Sequence, residues 1–197
     1  MRYYEEVKAL EKEFFDRIQL NPIVAAVSNV KKLDEAIESP CEIIFLLTGD
    51  IFNLEDIIKK VKENGKNIYV HIDLVDGFSK NLTTLKYISR KTDADGIITT
   101  KSSFIRPAKE MGLFTIQRLF MLDSLSLDSG IESIKVTRPN AVEIMPGIMP
   151  KITEKIYNET SIPIITGGLI MDKDDVIQNL KSGAVGISTT KKEIWYL

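Results

Sequence analysis

Hydrophobic and polar residues alternate along this chain with two different periods. Short apolar runs rich in β-branched residues are separated by segments in which apolar residues recur every three or four positions, as at Leu54, Ile57, Ile58 and Val61. The short runs predict strands, and the segments between them predict helices. Eight strands are predicted, at residues 23–27, 42–47, 67–72, 96–99, 114–119, 141–145, 163–166 and 185–188.

The predicted strands are apolar on both faces, which is typical of a parallel sheet covered by helices. Eight consecutive strand–helix units favour closure into a compact (β/α)₈ TIM-like barrel of the α/β class, with an open doubly wound sheet as the alternative. The chain has 197 residues. Because this architecture typically needs ~200 residues or more, most of its loops and helices must be short.

An amphipathic helix is predicted before the first strand. Apolar residues share one of its faces, while acidic and basic residues occupy the others. We expect residues 1–20 to form a helix packed on a single barrel domain of residues 21–197. The helix can close the bottom of the barrel or contact a second subunit, so a homo-oligomer is possible. The apolar face consists of Tyr3, Val7, Leu10, Phe14 and Ile18.

Composition narrows the classes of partner and the compartment. A hydrophobic content of 44% and a charged content of 27% are those of an ordinary globular protein. The net charge of −2 creates no overall field that would attract nucleic acid or a membrane surface. The single cysteine, Cys41, cannot form an internal disulfide, and no apolar run is long enough for a signal peptide or a membrane span. We therefore expect a cytoplasmic protein without a membrane partner.

Two neighbouring strand ends predict a phosphate site. In barrels of this kind, phosphate commonly binds to the loops after strands seven and eight. Gly167 and Gly168 follow the seventh strand, and their small size permits close approach of phosphate oxygens to the backbone. Ser188, Thr189 and Thr190 add hydroxyl groups one unit later. A tight turn explains the glycine pair alone, but its combination with the hydroxyl groups favours phosphate binding.

Ionisable residues lie at other strand ends, where they can converge over the mouth of the barrel: His71, Asp73, Lys101, Arg118 and Glu143. His71 and Asp73 are two apart on the predicted third strand, so they are expected to share a face. These residues are candidates for binding the polar part of a ligand. Alternatively, His71 is structural and the charged residues pair with one another inside the barrel. With one histidine in the chain, we expect no metal site, and no cofactor is predicted.

Enzymatic chemistry is the alternative to ligand sensing. Lys101 could form a Schiff base if it is desolvated, with Glu143 as its partner in a lyase or isomerase. His71 with acidic residues and a metal could instead serve a phosphodiesterase. The sequence contains no dinucleotide-binding, phosphate-loop or nucleophile-elbow motif, so those classes of enzyme are not supported. No catalytic residue is assigned.

Six motifs along the chain are specific as a set: VHIDL at 70–74, DGIITTKSS at 95–103, TIQR at 115–118, LDS at 122–124, EIMPGIMP at 143–150 and GGLI at 167–170. Together they resemble the bacterial glycerol uptake operon antiterminator regulatory proteins. The resemblance extends from about Asn21 to Trp195.

This resemblance implies a TIM-like barrel that senses glycerol 3-phosphate. It further implies an action on the leader of messenger RNA for glycerol utilisation, which prevents premature termination. The sequence contains no recognised RNA-binding motif, so the RNA partner is implied by the resemblance alone. Two alternatives stay open: a barrel enzyme acting on a small phosphorylated metabolite, and a paralogue whose pocket no longer signals.

Overall fold

The chain folds into a closed barrel of eight parallel strands, in which each strand pairs with its neighbours in sequence and the last pairs with the first. The computed structural model describes residues 2–79 and 81–197, with side chains from residue 8 onward in the first helix. The predicted α/β barrel is confirmed, and no strand boundary differs from the prediction by more than one residue. The strands are β1 (Ile23–Val27), β2 (Ile43–Leu46), β3 (Asn67–His71), β4 (Gly96–Thr99), β5 (Phe114–Phe120), β6 (Ala141–Met145), β7 (Ile164–Gly167) and β8 (Ala184–Thr189).

Helices alternate with the strands and cover the outside of the barrel, as the hydrophobic periodicity predicts. The helix α3, for example, buries the four apolar residues whose spacing defined it. None of the helices in the described ranges combines the length and apolar character that a membrane crossing requires. The helices are α1 (Arg2–Leu20), α2 (Leu33–Glu38), α3 (Leu54–Glu63), α4 (Leu82–Lys91), α5 (Ser102–Glu110), α6 (Ser124–Thr137), α7 (Pro150–Thr160), α8 (Lys173–Lys181) and α9 (Lys192–Trp195).

The helix α1 closes the N-terminal end of the barrel. Phe14 is 0% exposed, and its ring stacks on that of Phe114 with 4.5 Å between the centroids. Glu11 accepts a hydrogen bond from Asn140, which lies just before β6. Ile18 is also buried, whereas the side chains of Tyr3 and Val7 lie outside the described part of the structure.

The interior of the barrel changes from apolar to polar along the strands. Tyr69, Ile116 and Ile165 belong to the apolar cluster that fills the lumen around Phe14. Because alternate residues of a strand face the same side, the next inward positions on β3 and β5 are His71 and Arg118. On β6, β7 and β8, the corresponding inward positions near the C-terminal ends are Glu143, Gly167 and Ser188.

Replacing Phe14 with alanine removes the aromatic plug of the lumen. We expect the Phe14→Ala variant to lose about 3–5 kcal/mol of unfolding free energy, as measured by urea denaturation. Leu20 is the control, because it lies in the same helix and is 75% exposed. Its replacement by alanine should change stability by less than about 0.5 kcal/mol. Equal effects of the two substitutions would show that α1 does not depend on the buried ring.

Candidate ligand site at the C-terminal rim

A cavity of about 310 Å³ opens at the C-terminal end of the barrel, above the apolar part of the lumen. Residues from β1, β5, β6 and β8, with Leu47 just after β2, line its floor and sides, and the turns after β7 and β8 form the rest of its wall. The two turns predicted to bind phosphate therefore face one common space. The lining residues are Ala26, Leu47, Arg118, Glu143, Met145, Gly168, Leu169, Ile170, Met171, Ser188, Thr189, Thr190 and Lys191.

A buried ionic network forms the floor of this cavity. Arg118 Nε donates a hydrogen bond of 2.6 Å to Glu143 Oε2, and Ser188 Oγ donates one of 2.5 Å to Glu143 Oε1. Glu143 is 0% exposed and Arg118 is 6% exposed. Neither Nη group of Arg118 bonds to a residue of the described chain. Both carboxylate oxygens of Glu143 are thus occupied, while the guanidinium retains donors for another partner.

The end of β7 and the turn after it require glycine at two positions. A Cβ atom on Gly167 would lie 2.3 Å from Ser188 Oγ, so no larger residue fits beside the ionic network. Gly168 has a φ of +73°, in the left-handed region that favours glycine, and Leu169 follows with a φ of +59°. Within the described residues, the backbone amides of Gly168 and Leu169 have no hydrogen-bond acceptor. Two free donors are therefore available at the wall of the cavity.

The turn after β8 adds a third free amide and a cation. The amide of Thr190 has no acceptor among the residues described, and its side chain is exposed at the cavity. Thr189 is buried, and its hydroxyl accepts a hydrogen bond from the amide of Lys191. Lys191 Nζ donates a 3.0 Å bond to the carbonyl oxygen of Met171, which links this turn to the one after β7.

The structure corrects the predicted placement of Asp73. The strand β3 ends at His71, and Asp73 lies in a 3₁₀ turn over Ile72–Leu74, so the two residues are not on one strand. Asp73 Oδ2 is nevertheless only 4.0 Å from His71 Nδ1. The carboxylate of Asp73 accepts hydrogen bonds from the hydroxyl of Thr99 and from the amide and hydroxyl of Thr100. The predicted pairing of charged residues thus includes Arg118 with Glu143 but not Asp73.

His71 is buried and neutral at physiological pH. Burial disfavours the charged imidazole, and the nearby positive charge of Arg118 acts in the same direction, so that the pKa of His71 falls to about 4 although Asp73 opposes the shift. Nδ1 of His71 is a buried nitrogen without a hydrogen-bond partner in the described chain. A buried nitrogen without a partner destabilises the folded protein, and such groups are often found where a side chain has a functional role.

Lys101 lies apart from the ionic network. It precedes α5, and its Nζ lies 5.2 Å from the centroid of the Phe104 ring, in a cation–π contact. Lys101 does not line the cavity, in contrast to Arg118 and Glu143. This position gives no support to a Schiff-base role. In the described ranges, no three histidine, cysteine or acidic residues come together in a way that could hold a metal.

Sequence reasoning missed the apolar part of the cavity wall. Ala26 lies near the end of β1 and Leu47 directly follows β2, and the alternation of inward positions along those strands was the available signal. Leu169 and Met171 were missed because their exposed apolar side chains resemble ordinary loop residues. Of the predicted residues, His71, Asp73 and Gly167 lie beside the cavity wall rather than in it.

The neutral state of His71 predicts how its protonation and the stability of the protein depend on pH. Because the chain contains one histidine, a single imidazole NMR signal reports the protonation. The pKa of this group is lowered from 6.5 to about 4 on folding. The unfolded chain therefore binds the proton more readily, and stability should fall as the pH decreases from 6.5 toward 4. Titration of the imidazole Hε1 resonance, together with urea midpoints over the same range, measures both effects.

Asp73→Asn provides the control for this titration. Asp73 raises the pKa of His71, so its neutralisation should move the midpoint lower still. A wild-type midpoint near 6.5 would contradict the buried, neutral imidazole.

Comparison with known proteins agrees with the sequence motifs. Residues 23–195 match the sequence profile of the family described as glycerol-3-phosphate responsive antiterminator. The uncharacterized protein YgcP of Escherichia coli (strain K12) is 37% identical over 180 residues, which cover 91% of this chain and 94% of that protein.

Two solved structures of similar sequence have the same barrel. The glycerol uptake operon antiterminator regulatory protein of Listeria monocytogenes is 31% identical, with a TM-score of 0.86 and coverage of 89% of this chain and 95% of that one. A glycerol uptake operon antiterminator-related protein from Thermotoga maritima is 32% identical, with a TM-score of 0.80 and coverage of 89% and 98%. The chain belongs to the glycerol-3-phosphate responsive antiterminator family, a regulatory family built on the TIM barrel.

Proposed function

We propose that this protein binds glycerol 3-phosphate at the C-terminal rim of its barrel and, in response, acts on the leader of messenger RNA for glycerol utilisation. Membership of the family supports the responsiveness to glycerol 3-phosphate and the regulatory role. The location of the ligand and the RNA target are our proposals, and the first is argued from the site.

The proposed ligand position is supported mainly by backbone amides without acceptors around one cavity. The amides of Gly168, Leu169 and Thr190 lack acceptors within the described chain, and all three residues line the same space. A phosphate dianion supplies several strong acceptors at once, so it can satisfy such a set. Lys191 adds a positive charge at the same wall. We assign the phosphate to Gly167, Gly168, Ser188, Thr189 and Thr190. Gly167 and Ser188, whose hydroxyl donates to Glu143, provide close packing.

The glycerol end is assigned to the polar floor of the lumen and to the opposite wall. Arg118 has free Nη donors, and Glu143 lies beside them, below the cavity. His71, Asp73 and Lys101 are proposed as the outer contacts, from the ends of β3 and β4. This arrangement places the charged end of the ligand against amide donors and its uncharged end between the guanidinium of Arg118 and the imidazole of His71.

Binding would restrict several rim turns at once. The amide of Gly147, in the turn after β6, donates to the carbonyl oxygens of Gly167 and Gly168, so that this turn is tied to the one after β7. Lys191 ties the turn after β8 to the same loop. A ligand that orders these connected turns changes the surface that they present, and this coupling is the basis for a change in RNA affinity.

Filter binding with the leader RNA of a glycerol-utilisation operon tests the proposal. The wild-type protein should retain the RNA to different extents with and without glycerol 3-phosphate. Thr190→Asp places a carboxylate where the phosphate is proposed to bind, and repulsion should abolish the response. Thr83→Asp is the matched control, because Thr83 is exposed on α4 and does not line the cavity.

The control variant should respond as the wild type does. Equal retention of RNA by the wild-type protein in both conditions would contradict the switch. An unchanged response in Thr190→Asp would place the phosphate elsewhere while leaving the switch intact.

A further inference from the structure

The end of β3 lies across the barrel from the proposed phosphate turns. Asp73 contributes a carboxylate there, and His71 contributes a neutral ring. We infer that His71, whose tautomer is set by the charge of Asp73, recognises a hydroxyl group of the ligand by accepting a hydrogen bond at Nε2. This inference rests on the proposed function, and it names the feature of the ligand that the site selects: a free hydroxyl.

The position of His71 supports a contact with a ligand rather than with solvent. The residue is 2% exposed and occupies the inward position above Tyr69 on β3. Leu47, which follows the neighbouring strand β2, lines the cavity. Arg118 also lines it, and its positive charge lowers the pKa of His71. His71 thus lies between two parts of the cavity wall, at the edge of the space that a ligand would fill.

Asp73 determines which nitrogen of the ring is free to accept. Thr99 and Thr100 donate to the Asp73 carboxylate and hold it 4.0 Å from His71 Nδ1. That separation is about 1 Å longer than a hydrogen bond, and the negative charge favours a proton on the nitrogen that faces it. A neutral imidazole with its proton on Nδ1 presents a lone pair at Nε2. Asp73 therefore acts as a positioning residue.

The groups on this side select an alcohol over an acid. A hydroxyl can donate to Nε2 of His71, and its oxygen can accept from the free Nη groups of Arg118. A carboxylate in the same place has no proton to donate to Nε2, so its lone pairs would face the lone pair of the ring. The predicted ligand class is a small alkyl phosphate with free hydroxyls, distinguished from phosphates of similar size that carry a carboxylate or no hydroxyl.

Isothermal titration calorimetry with three probes tests this inference: glycerol 3-phosphate, 3-phosphoglycerate and n-propyl phosphate, which has the same phosphate but no hydroxyl. The wild-type protein should prefer glycerol 3-phosphate. His71→Phe keeps a flat ring without an acceptor and should weaken glycerol 3-phosphate binding by about tenfold. Its binding of n-propyl phosphate should stay the same. His71→Gln restores an acceptor near Nε2 and should recover part of the preference.

Asp73→Asn tests the positioning role through a signal that a purely structural residue would not change. The ¹⁵N shifts of the single imidazole report its tautomer, which should be Nδ1–H in the wild type and should lose that preference in the variant. The preference for glycerol 3-phosphate over n-propyl phosphate should fall in parallel.

The outcomes separate this inference from the function on which it rests. If the wild-type protein binds no phosphate ester, the proposed function fails. Alternatively, the wild-type protein binds glycerol 3-phosphate while His71→Phe and His71→Gln lower the affinity for both esters equally, or leave both affinities unchanged. In that case His71 is structural and the inference is overturned. If His71→Phe is unstable, His71→Gln and Asp73→Asn decide the question. An unchanged preference for glycerol 3-phosphate in both variants, with an unchanged Nδ1–H tautomer in Asp73→Asn, would contradict the role of His71.

Discussion

The structure depends on the compensation of one buried charge. Glu143 is 0% exposed inside the barrel, where an isolated carboxylate would carry a large desolvation cost. Arg118 and Ser188 occupy its two oxygens, and they come from strands on either side, β5 and β8. Removal of one partner from such a group usually costs about 3–5 kcal/mol, so the three residues have to be present together. Gly167 is confined to glycine by the same network, because a side chain there would collide with Ser188.

This constraint divides the lumen into two parts with different functions. Below the network, aromatic and aliphatic side chains pack against Phe14 of α1 and close the N-terminal end. Above it, polar groups face an open cavity. The lower part supplies stability through burial, and the upper part keeps donors and acceptors that the fold itself does not use. Membership of a ligand-responsive family agrees with this division.

Much of the fold could be predicted from the sequence because strand and helix periods differ clearly in this chain. The proximity of Gly168 to Thr190 also followed from sequence order, since consecutive strands of a barrel are neighbours. The alternative in which buried charges pair with one another anticipated the contact between Arg118 and Glu143, which lie on the neighbouring strands β5 and β6. The sequence did not reveal that Asp73 leaves the strand in a 3₁₀ turn, because hydrogen bonds from Thr99 and Thr100 hold it in that conformation. Contacts of this kind depend on the tertiary structure, so the hydrophobic periodicity of the sequence does not predict them.

We propose that free donors in the turns after β7 and β8 converge on one phosphate. A crystal structure with bound glycerol 3-phosphate would show whether they do. We expect phosphate oxygens within hydrogen-bond distance of the amides of Gly168 and Thr190, with the hydroxyl groups directed toward Arg118 and Glu143. A phosphate bound elsewhere on the protein, with those amides still unpartnered, would rule out this site.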